Sequence, residues 1–421
     1  MSTSAVSVDA PPVREWARGW RVVLAVVALS ITSNLHTGAL GALMEPLNSG
    51  FGWSRAQVSS ALTIICLGVL LVGPIAGAVM DRIGPRKLAL ICLAIYPLAF
   101  AAVGLSGPGI WSWYLGWGIV SLLYPGISSL TQTGVITQWF DRRRGMALAL
   151  GLTGAGVSNA VTPILVAQII GVFDWRAAFY ILGGCIFMFV LPIVVLFLHD
   201  HHPPAGARKA KAEPVRAAVA GASVGEALRN WTFWRIGVSI SVASAAIGAM
   251  AIHLQPIMRD AGLDAATAAG YAALMGPALI GGRLLGGWLL DILPGKLVAA
   301  GSLFLPATAC LLLLFYNGEP WMSVTVAIFA GAAFGLESDV LPYLTGRYFG
   351  LRRYGAIFAL VYGLYAAAFG LAPMIAGWVF DVAGSYDAAL KVIIAALLVG
   401  AALLASLPPT PTLAPGDQPE P

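Results

Sequence analysis

The sequence predicts an all-α polytopic membrane protein with twelve transmembrane helices in two pseudo-symmetric six-helix bundles. Composition, the number of long apolar runs and an internal repeat predict this class. Of the 421 residues, 59% are hydrophobic and only 10% are charged, whereas soluble domains carry roughly 25% charged residues. So few polar residues cannot cover a surface in water, and the composition also excludes a disordered chain. The four cysteines lie far apart inside apolar runs, which excludes a disulfide scaffold.

Twelve apolar runs have the length that crosses a bilayer. A membrane helix needs about 20 apolar residues, whereas the strands of a membrane barrel are about 10 residues long and alternate in polarity. The polar residues 1–20 and the long first run do not resemble a cleavable signal. We call the runs spans 1 to 12 and expect them at 21–46, 57–80, 88–107, 111–138, 145–170, 176–198, 232–257, 267–290, 297–316, 321–346, 355–379 and 386–408.

The positions of Lys and Arg predict the topology. With a cytoplasmic N-terminus, the cytoplasmic segments hold 19 of the 24 basic residues, the opposite loops hold 4, and Arg283 lies within span 8. Cytoplasmic loops carry such an excess, so both termini are expected in the cytoplasm of a multi-pass protein of the cell inner (plasma) membrane. The net charge of +5 is then a topology signal, and nucleic acid is not an expected partner.

These boundaries divide the chain into five segments. The linker opens with a His-Asp-His-His run, but its flexible, proline-flanked context offers no fixed geometry for a metal. No metal and no cofactor are expected. The segments are a cytoplasmic N-terminal segment (1–20), an N-terminal six-helix bundle (21–198), a cytoplasmic linker (199–231), a C-terminal six-helix bundle (232–408) and a disordered cytoplasmic tail (409–421).

The two bundles resemble each other at an offset of 210 residues. The matched pairs are Pro46 and Pro256, Gly52 and Gly262, Gly77 and Gly287, Asp81 and Asp291, Gly145 and Gly355, and Pro163 and Pro373. Two such bundles suit alternating access, in which they rock around a site at the midplane. Gly73-x-x-x-Gly77 and Gly282-x-x-x-Gly286 predict close helix approach in spans 2 and 8, either as static packing or as sliding surfaces.

The loop between spans 2 and 3 carries a family motif. Residues 77–87, Gly-Ala-Val-Met-Asp-Arg-Ile-Gly-Pro-Arg-Lys, resemble the loop signature of the major facilitator superfamily, which implies the major facilitator fold. An aspartate there can bond exposed amides at a neighbouring helix N-terminus and latch one conformation. Pure topology charge is the alternative, but it explains the basic residues and not the Asp and Gly. The latch candidates are Asp81, Arg82, Gly84, Arg86, Asp291, Arg143 and Arg144.

A second motif narrows the resemblance. Residues 139–156, beginning Trp-Phe-Asp-Arg-Arg-Arg-Gly, resemble the span-5 motif of the monocarboxylate transporter family, with Trp139 where tyrosine is usual. Residues 50–56 and 346–355 are similar to loops of its bacterial members. The resemblance covers roughly residues 19–405. It implies uptake or exchange of a carboxylate, often with a proton.

Arg283 is the leading candidate for the substrate site. Charges within spans are costly and usually functional, although a long side chain can also extend to the membrane surface. The family carries a span-8 arginine that holds the substrate carboxylate, and Arg283 matches its place. Eukaryotic members have an aspartate four residues earlier, where this chain has Leu279. Span 10 is expected to supply the acid, with Asp339 as first choice for proton coupling and Glu337 as second.

Further polar and aromatic residues are weaker candidates for substrate binding, and packing is an alternative for each. Pro125 is expected to break span 4 beside Tyr124 and expose backbone at the midplane. An aromatic stripe in span 11 either packs or lines an apolar cavity. The expected substrate-binding residues besides Arg283 are Tyr124, Tyr362, Tyr365, Asn159 and His36, with Asn34 and His253 as minor candidates.

These observations favour a secondary active transporter for a small organic anion, most simply a monocarboxylate moved with a proton by alternating access. An exporter of drugs or metabolites with the same fold and a non-transporting membrane sensor are the alternatives. An enzyme is not expected, because the sequence offers no nucleophile–base pair, metal cluster or phosphate-binding loop. The expected partners are the anion, the proton and membrane lipids, and the expected state is a monomer.

Overall fold

The computed structural model describes residues 15–140, 144–200, 221–350 and 353–409. Within them, twelve helices are long and apolar enough to cross a membrane, which confirms the predicted fold class. The N-terminal segment up to residue 14, most of the linker and nearly all of the tail lie outside the described residues. The spans are Gly19–Phe51, Arg55–Met80, Pro85–Val103, Ile110–Trp139, Gly145–Val172, Trp175–Phe197, Trp231–Asp260, Ala265–Ile292, Gly295–Leu314, Pro320–Phe349, Tyr354–Ala383 and Asp387–Ala405.

The connections between spans alternate between two ends of the molecule. We call the linker side the end that carries the beginning of span 1, the connections after spans 2, 4, 8 and 10, and the linker itself. The distal side carries the connections after odd-numbered spans, including those after spans 1, 7 and 11. Spans 1 to 6 form the N-half and spans 7 to 12 the C-half.

Helix starts on the distal side follow the sequence closely. Ser54 and Gln57 form a capping box at the start of span 2, and Asp264 is the N-cap of span 8. The bond from the Thr267 hydroxyl, together with backbone amides, lowers the pKa of the Asp264 carboxyl. The repeated glycines before these caps, Gly52 and Gly262, have φ of 70° and 95°, a region that favours glycine. The repeat seen in the sequence is therefore also a repeat of backbone conformation.

Span 4 is broken where the sequence predicts it. Its first helix ends at Leu123, a single 3₁₀ turn covers Tyr124–Gly126, and a new helix begins at Ser129. The Pro125 carbonyl left free by the break accepts hydrogen bonds from the hydroxyls of Ser128 at 3.0 Å and Thr131 at 3.2 Å. The Pro125 carbonyl is thus satisfied by side chains at the start of the second helix.

Each half has its own hydrophobic core. The buried core residues of the N-half run from Val22 to Leu198, joined by Ile252 of span 7, and those of the C-half from Ala227 to Leu407. In the C-half, spans 8 and 10 pack through the predicted small residues. A methyl group on Gly282 would lie 2.6 Å from the Ala332 Cα, and one on Gly286 would lie 3.0 Å from the Leu336 Cγ.

The matching glycines of span 2 behave differently, and for them the expectation of close approach is wrong in this conformation. A methyl group on Gly73 or Gly77 would have no atom within 4 Å. The physical reason is that span 2 faces the other half, and the halves diverge toward the linker side.

Glycines along span 11 record this divergence. A methyl group on Gly377 would lie 2.7 Å from the Ala56 nitrogen of span 2, and one on Gly370 would lie 2.5 Å from the Cys66 Cβ. Closer to the linker side, a methyl on Gly363 would be 3.8 Å from Leu70, and Gly355 has open space around it. Spans 2 and 11 therefore form a wedge that is closed at the distal side.

Candidate substrate site

Arg283 lies where the two halves begin to part. Gly276, Ile280 and Arg283 share one face of span 8 because they are spaced by four and three residues. The first two contact span 5 of the N-half: a methyl group on Gly156 would lie 2.6 Å from Ile280 and 2.9 Å from the Gly276 oxygen. Arg283 follows one turn toward the linker side, and its side chain is 17% exposed. The charge therefore sits at the closed end of the wedge-shaped cleft.

Asp339 of span 10 is the acid that accompanies Arg283. Its Oδ1 lies 3.7 Å from the Arg283 Nε, and its side chain is 33% exposed. Span 10 comes this close because residue 335 is a glycine. A methyl group at this position would lie only 2.6 Å from the backbone nitrogen of Arg283. At 3.7 Å the contact is electrostatic and not a hydrogen bond. Within the described chain the Arg283 Nε has no hydrogen-bond partner, so the guanidinium keeps donors available.

Glu337 lies deeper than Asp339. Two positions apart on a helix differ by about 200° in direction, and Glu337 is accordingly buried, with 1% exposure. Among the described residues neither of its carboxyl oxygens has a hydrogen-bond partner. It lies within electrostatic range of Tyr365, which is also within range of Arg283. The two acids thus occupy different environments, and of the two it is Asp339 that contacts Arg283.

The aromatic stripe of span 11 forms a ladder of stacked rings. Successive centroids are 5.6, 5.7, 5.7 and 6.5 Å apart, and the interplanar angles lie between 11° and 25°. Tyr362 lies beside Ser129 and Tyr124 of the N-half, and its side chain is partly exposed. The ladder therefore gives the cleft a flat aromatic wall close to the arginine. Its members are Tyr354, Phe358, Tyr362, Tyr365 and Phe369.

Among the remaining candidates of the N-half, His36 and Asn159 are buried and Asn34 is partly buried. His36 packs edge-on against Tyr124, with ring centroids 5.5 Å apart, and its Nδ1 has no hydrogen-bond partner among the described residues. The Asn159 amide donates to the Ala155 carbonyl of its own helix at 3.0 Å. Asn34 likewise donates to its own helix, at the Ser30 carbonyl. The structure thus brings His36, Tyr124 and the ladder together, whereas the described bonds of Asn159 and Asn34 stay local.

Most of the latch candidates lie at the linker side without described cross-half bonds. Arg82 and Asp291 are exposed, and Gly84, at φ 89°, separates spans 2 and 3. The side chains of Asp81 and Arg144, and all of Arg143, lie outside the described residues.

The N-terminus of span 3 is bound by an aspartate that sequence reasoning missed. The Asp200 carboxylate, at the start of the linker, accepts from the Arg86 amide at 3.2 Å. The Arg86 side chain donates to the Val195 carbonyl at 3.4 Å. An aspartate directly after span 6 was the available signal.

A second group that sequence reasoning missed joins the halves on the distal side. Arg55 of span 2 binds the Asp260 carboxylate of span 7 through both terminal nitrogens, at 2.8 and 2.6 Å. The backbone amides of Arg55 and Ala56 donate to the two carboxylate oxygens of Asp381, each at 3.0 Å. Arg259 pairs with Glu45 of span 1. The signal was that Arg55 and Arg259 are two of only four basic residues in the predicted distal loops.

Twelve membrane helices in two halves, with a largely shielded arginine at the closed end of the cleft between them, define a membrane transport protein. The chain matches the model of the Major Facilitator Superfamily over residues 22–361 and belongs to this superfamily. The resemblance read from residues 77–87 is thereby confirmed.

Comparison with individual proteins supports the narrower resemblance. The chain is 26% identical over 407 residues to monocarboxylate transporter 13 of Bos taurus, covering 94% of this chain and 91% of that protein. It is 25% identical to an MFS-type transporter of Bacillus subtilis, covering 87% and 90%. A solved D-xylose-proton symporter superposes with a TM-score of 0.71 at 15% identity, covering 93% and 98%, which shows a common fold.

Proposed function

We propose that the protein is a secondary active transporter that moves a small monocarboxylate together with a proton by alternating access. The observation that carries this proposal is Arg283, a charged side chain near the closed end of the cleft, with free donors and an acid 3.7 Å away. An ionised arginine within a membrane span is energetically costly and is therefore usually functional. The similarity to proteins named monocarboxylate transporters supports the choice of anion.

Substrate binding follows from the shape of the guanidinium. A carboxylate leaving water needs a compensating charge, and arginine can grip it with two parallel hydrogen bonds. The contact of Arg283 with Asp339 is not hydrogen-bonded, so the anion can replace it without losing such a bond. The apolar part of the substrate then lies against the ring ladder, beside Tyr362 and Tyr365. Tyr124 and His36 close the site from the N-half.

Proton coupling uses the acids of span 10. An anion on Arg283 displaces Asp339, and a carboxylate that loses its positive partner in a low-dielectric site takes up a proton more readily. Glu337 is the second candidate because it is buried and has no hydrogen-bond partner among the described residues. Substrate and proton are then carried together because each favours the binding of the other.

The proposal also fixes an orientation. The protein lies in the cell inner membrane with its linker side facing the cytoplasm. In this orientation the cleft opens to the cytoplasm and the distal side is sealed. The latch residues around Asp81 and Asp291 would meet only when the cleft closes on the linker side. The transporter is proposed to act as a monomer in contact with membrane lipids.

Uptake into proteoliposomes tests the anion site. A panel of radiolabelled monocarboxylates, with one cationic drug to represent the exporter alternative, is measured with and without a pH gradient. Arg283→Lys should lose at least about tenfold in uptake, because a point charge replaces a planar fork. Arg235→Lys is the matched control, because Arg235 donates to the Ser406 carbonyl within the C-half. Normal anion accumulation by Arg283→Ala would contradict the proposal.

The coupling step has its own test. Asp339→Asn should abolish accumulation driven by a pH gradient and retain exchange of substrate for substrate, since exchange needs no net proton movement. Glu337→Gln identifies the proton carrier if Asp339→Asn has no effect. Full pH-driven uptake by both variants would exclude proton coupling through span 10.

A further inference from the structure

A continuous chain of hydrogen bonds crosses between the halves on the distal side. Arg55 Nη1 lies 2.8 Å from the Tyr386 hydroxyl, and that hydroxyl lies 2.8 Å from His253 Nδ1. His253 Nε2 lies 2.7 Å from the Pro373 carbonyl oxygen and 3.3 Å from the Ser59 hydroxyl. Four separate segments meet here: span 2, span 7, span 11 and the connection after span 11.

The donor and acceptor roles in this chain follow from chemistry. A carbonyl oxygen only accepts, so His253 Nε2 carries a hydrogen and donates to Pro373. In a neutral ring Nδ1 is then an acceptor, and Tyr386 donates its hydroxyl hydrogen to it. The guanidinium of Arg55 only donates, so it donates to the Tyr386 oxygen. Every group has a compatible role if His253 is neutral.

The surroundings of the chain favour this arrangement. Burial raises the pKa of the Tyr386 hydroxyl, which keeps its hydrogen in place. Arg55 is held by Asp260 and lies over the Phe380 ring, with its guanidinium carbon 3.7 Å from the centroid. His253 is 1% exposed and therefore shielded from water. One arginine of the N-half is thus bound by three side chains of the C-half.

We propose that Arg55, Asp260 and Tyr386 form the gate that closes the distal side of the cleft, and that His253 is its positioning residue. By accepting the tyrosine hydrogen, His253 turns the Tyr386 oxygen lone pairs toward Arg55 of the other half. The bond from His253 to Pro373 fixes the ring between spans 7 and 11. When the distal side opens, Arg55 leaves all three partners and returns to water.

The gate rests on the proposed alternating access, but its test does not require a transported anion. Spin labels at Ser49 and Ala266, both exposed on the distal side in opposite halves, form the distal pair. Labels at Gln138 and Ala356, both exposed on the linker side, form the linker-side pair. Distances are measured by double electron–electron resonance in a background in which the four native cysteines are replaced by alanine, without substrate.

Tyr386→Phe keeps the ring and removes both bonds of the hydroxyl. A hydrogen bond to a charged group is worth about 1.5 kcal/mol or more, so the ratio of distal-open to distal-closed molecules should rise about tenfold. The linker-side pair should shorten in the same molecules, because alternating access closes one end of the cleft as the other opens. A lengthening of both distances would instead indicate a loosened protein and would overturn the gate. Tyr316→Phe is the matched control, since its hydroxyl bonds Ser323 at 2.6 Å within the C-half.

A double-mutant comparison separates positioning from simple packing. His253→Gln alone should raise the distal-open population, whereas in the Tyr386→Phe background it should add less than about twofold, because both residues act through one bond. Additive effects would overturn the role of His253. An unchanged distal pair in Tyr386→Phe would overturn the gate, whereas failure of anion uptake with an intact gate response would count against the proposed substrate alone.

Discussion

The two ends of the cleft differ in how the same helices meet. On the distal side, spans 2 and 11 touch backbone to backbone, and Arg55 and Asp381 bind across the halves. Toward the linker side the same two helices separate, and Gly73, Gly77 and Gly355 face open space. Small residues thus occur along the whole length of the interface, but they are in close contact only on the distal side. Toward the linker side they form a surface on which spans 2 and 11 can pack in another conformation.

Filling the distal contact should give the largest effect. Leucine at Gly377 needs the space that the Ala56 backbone occupies, since even a methyl group would lie 2.7 Å from its nitrogen. Overpacking of this kind costs about 1–3 kcal/mol. Gly377→Leu should therefore raise the population with a long distance between the distal spin labels by a factor of about 5 to 150.

Gly355→Leu is the control for this variant. It makes the same chemical change in the same helix, where the structure has open space, so the distal pair should keep its distance. Equal responses from the two variants would remove the contrast between the two ends.

Removing one carboxylate charge should give a smaller effect. Asp381 accepts from two amides at the N-terminus of span 2, a position where a negative charge is favoured. Asp381→Asn keeps the shape but loses the charge and one acceptor, which is worth about 1 kcal/mol. The distal-open population should rise about fivefold in the same resonance measurement.

Asp200→Asn is the informative counterpart. Asp200 caps the start of span 3 within the N-half. Loss of its charge should lower the free energy of unfolding by about 1 kcal/mol without changing the distance between the distal spin labels. A shift in the distal distances caused by Asp200→Asn would mean that this cap is linked to the movement of the halves.

The smallest effect is expected from the exposed ion pair. Glu45 and Arg259 are 58% and 32% exposed, and pairs of this kind contribute about 0–1 kcal/mol. Glu45→Gln should change the distal-open population by about twofold at low salt. Because the screening length falls to about 3 Å at 1 M salt, the difference should disappear there. A large effect that persists in high salt would mean that the pair is part of the gate.

The sequence predicted the fold and the polar centre of the C-half for the same reason. In a membrane, apolar runs of about 20 residues form helices because a helix satisfies its own backbone hydrogen bonds. A charged residue within such a helix needs a partner at the same depth. That logic led from Arg283 to Asp339, and the structure has them 3.7 Å apart. The break at Pro125 also follows from chemistry that acts along the chain itself.

The distal gate escaped sequence reasoning for a physical reason. Charged residues are common at helix ends, where water is available, so Arg55 and Asp260 did not indicate a contact between the halves. Their contact joins residues 205 positions apart, and that of Arg55 with Asp381 joins residues 326 apart. Nothing in the local sequence selects such partners. The glycines of span 2 and span 8 share a pattern, but those of span 8 pack on span 10 of the same half, whereas those of span 2 have open space around them.

The contact at Gly370 has a mechanical consequence. Span 11 is a helix of 30 residues, and at 1.5 Å per residue Gly370 divides it into arms of about 24 Å toward the linker side and about 20 Å toward the distal side. A tilt of about 10° about this point would move the two ends by roughly 4 Å in opposite directions. A nearly central pivot makes span 11 an equal-armed lever, so opening one mouth of the cleft narrows the other without bending the helix.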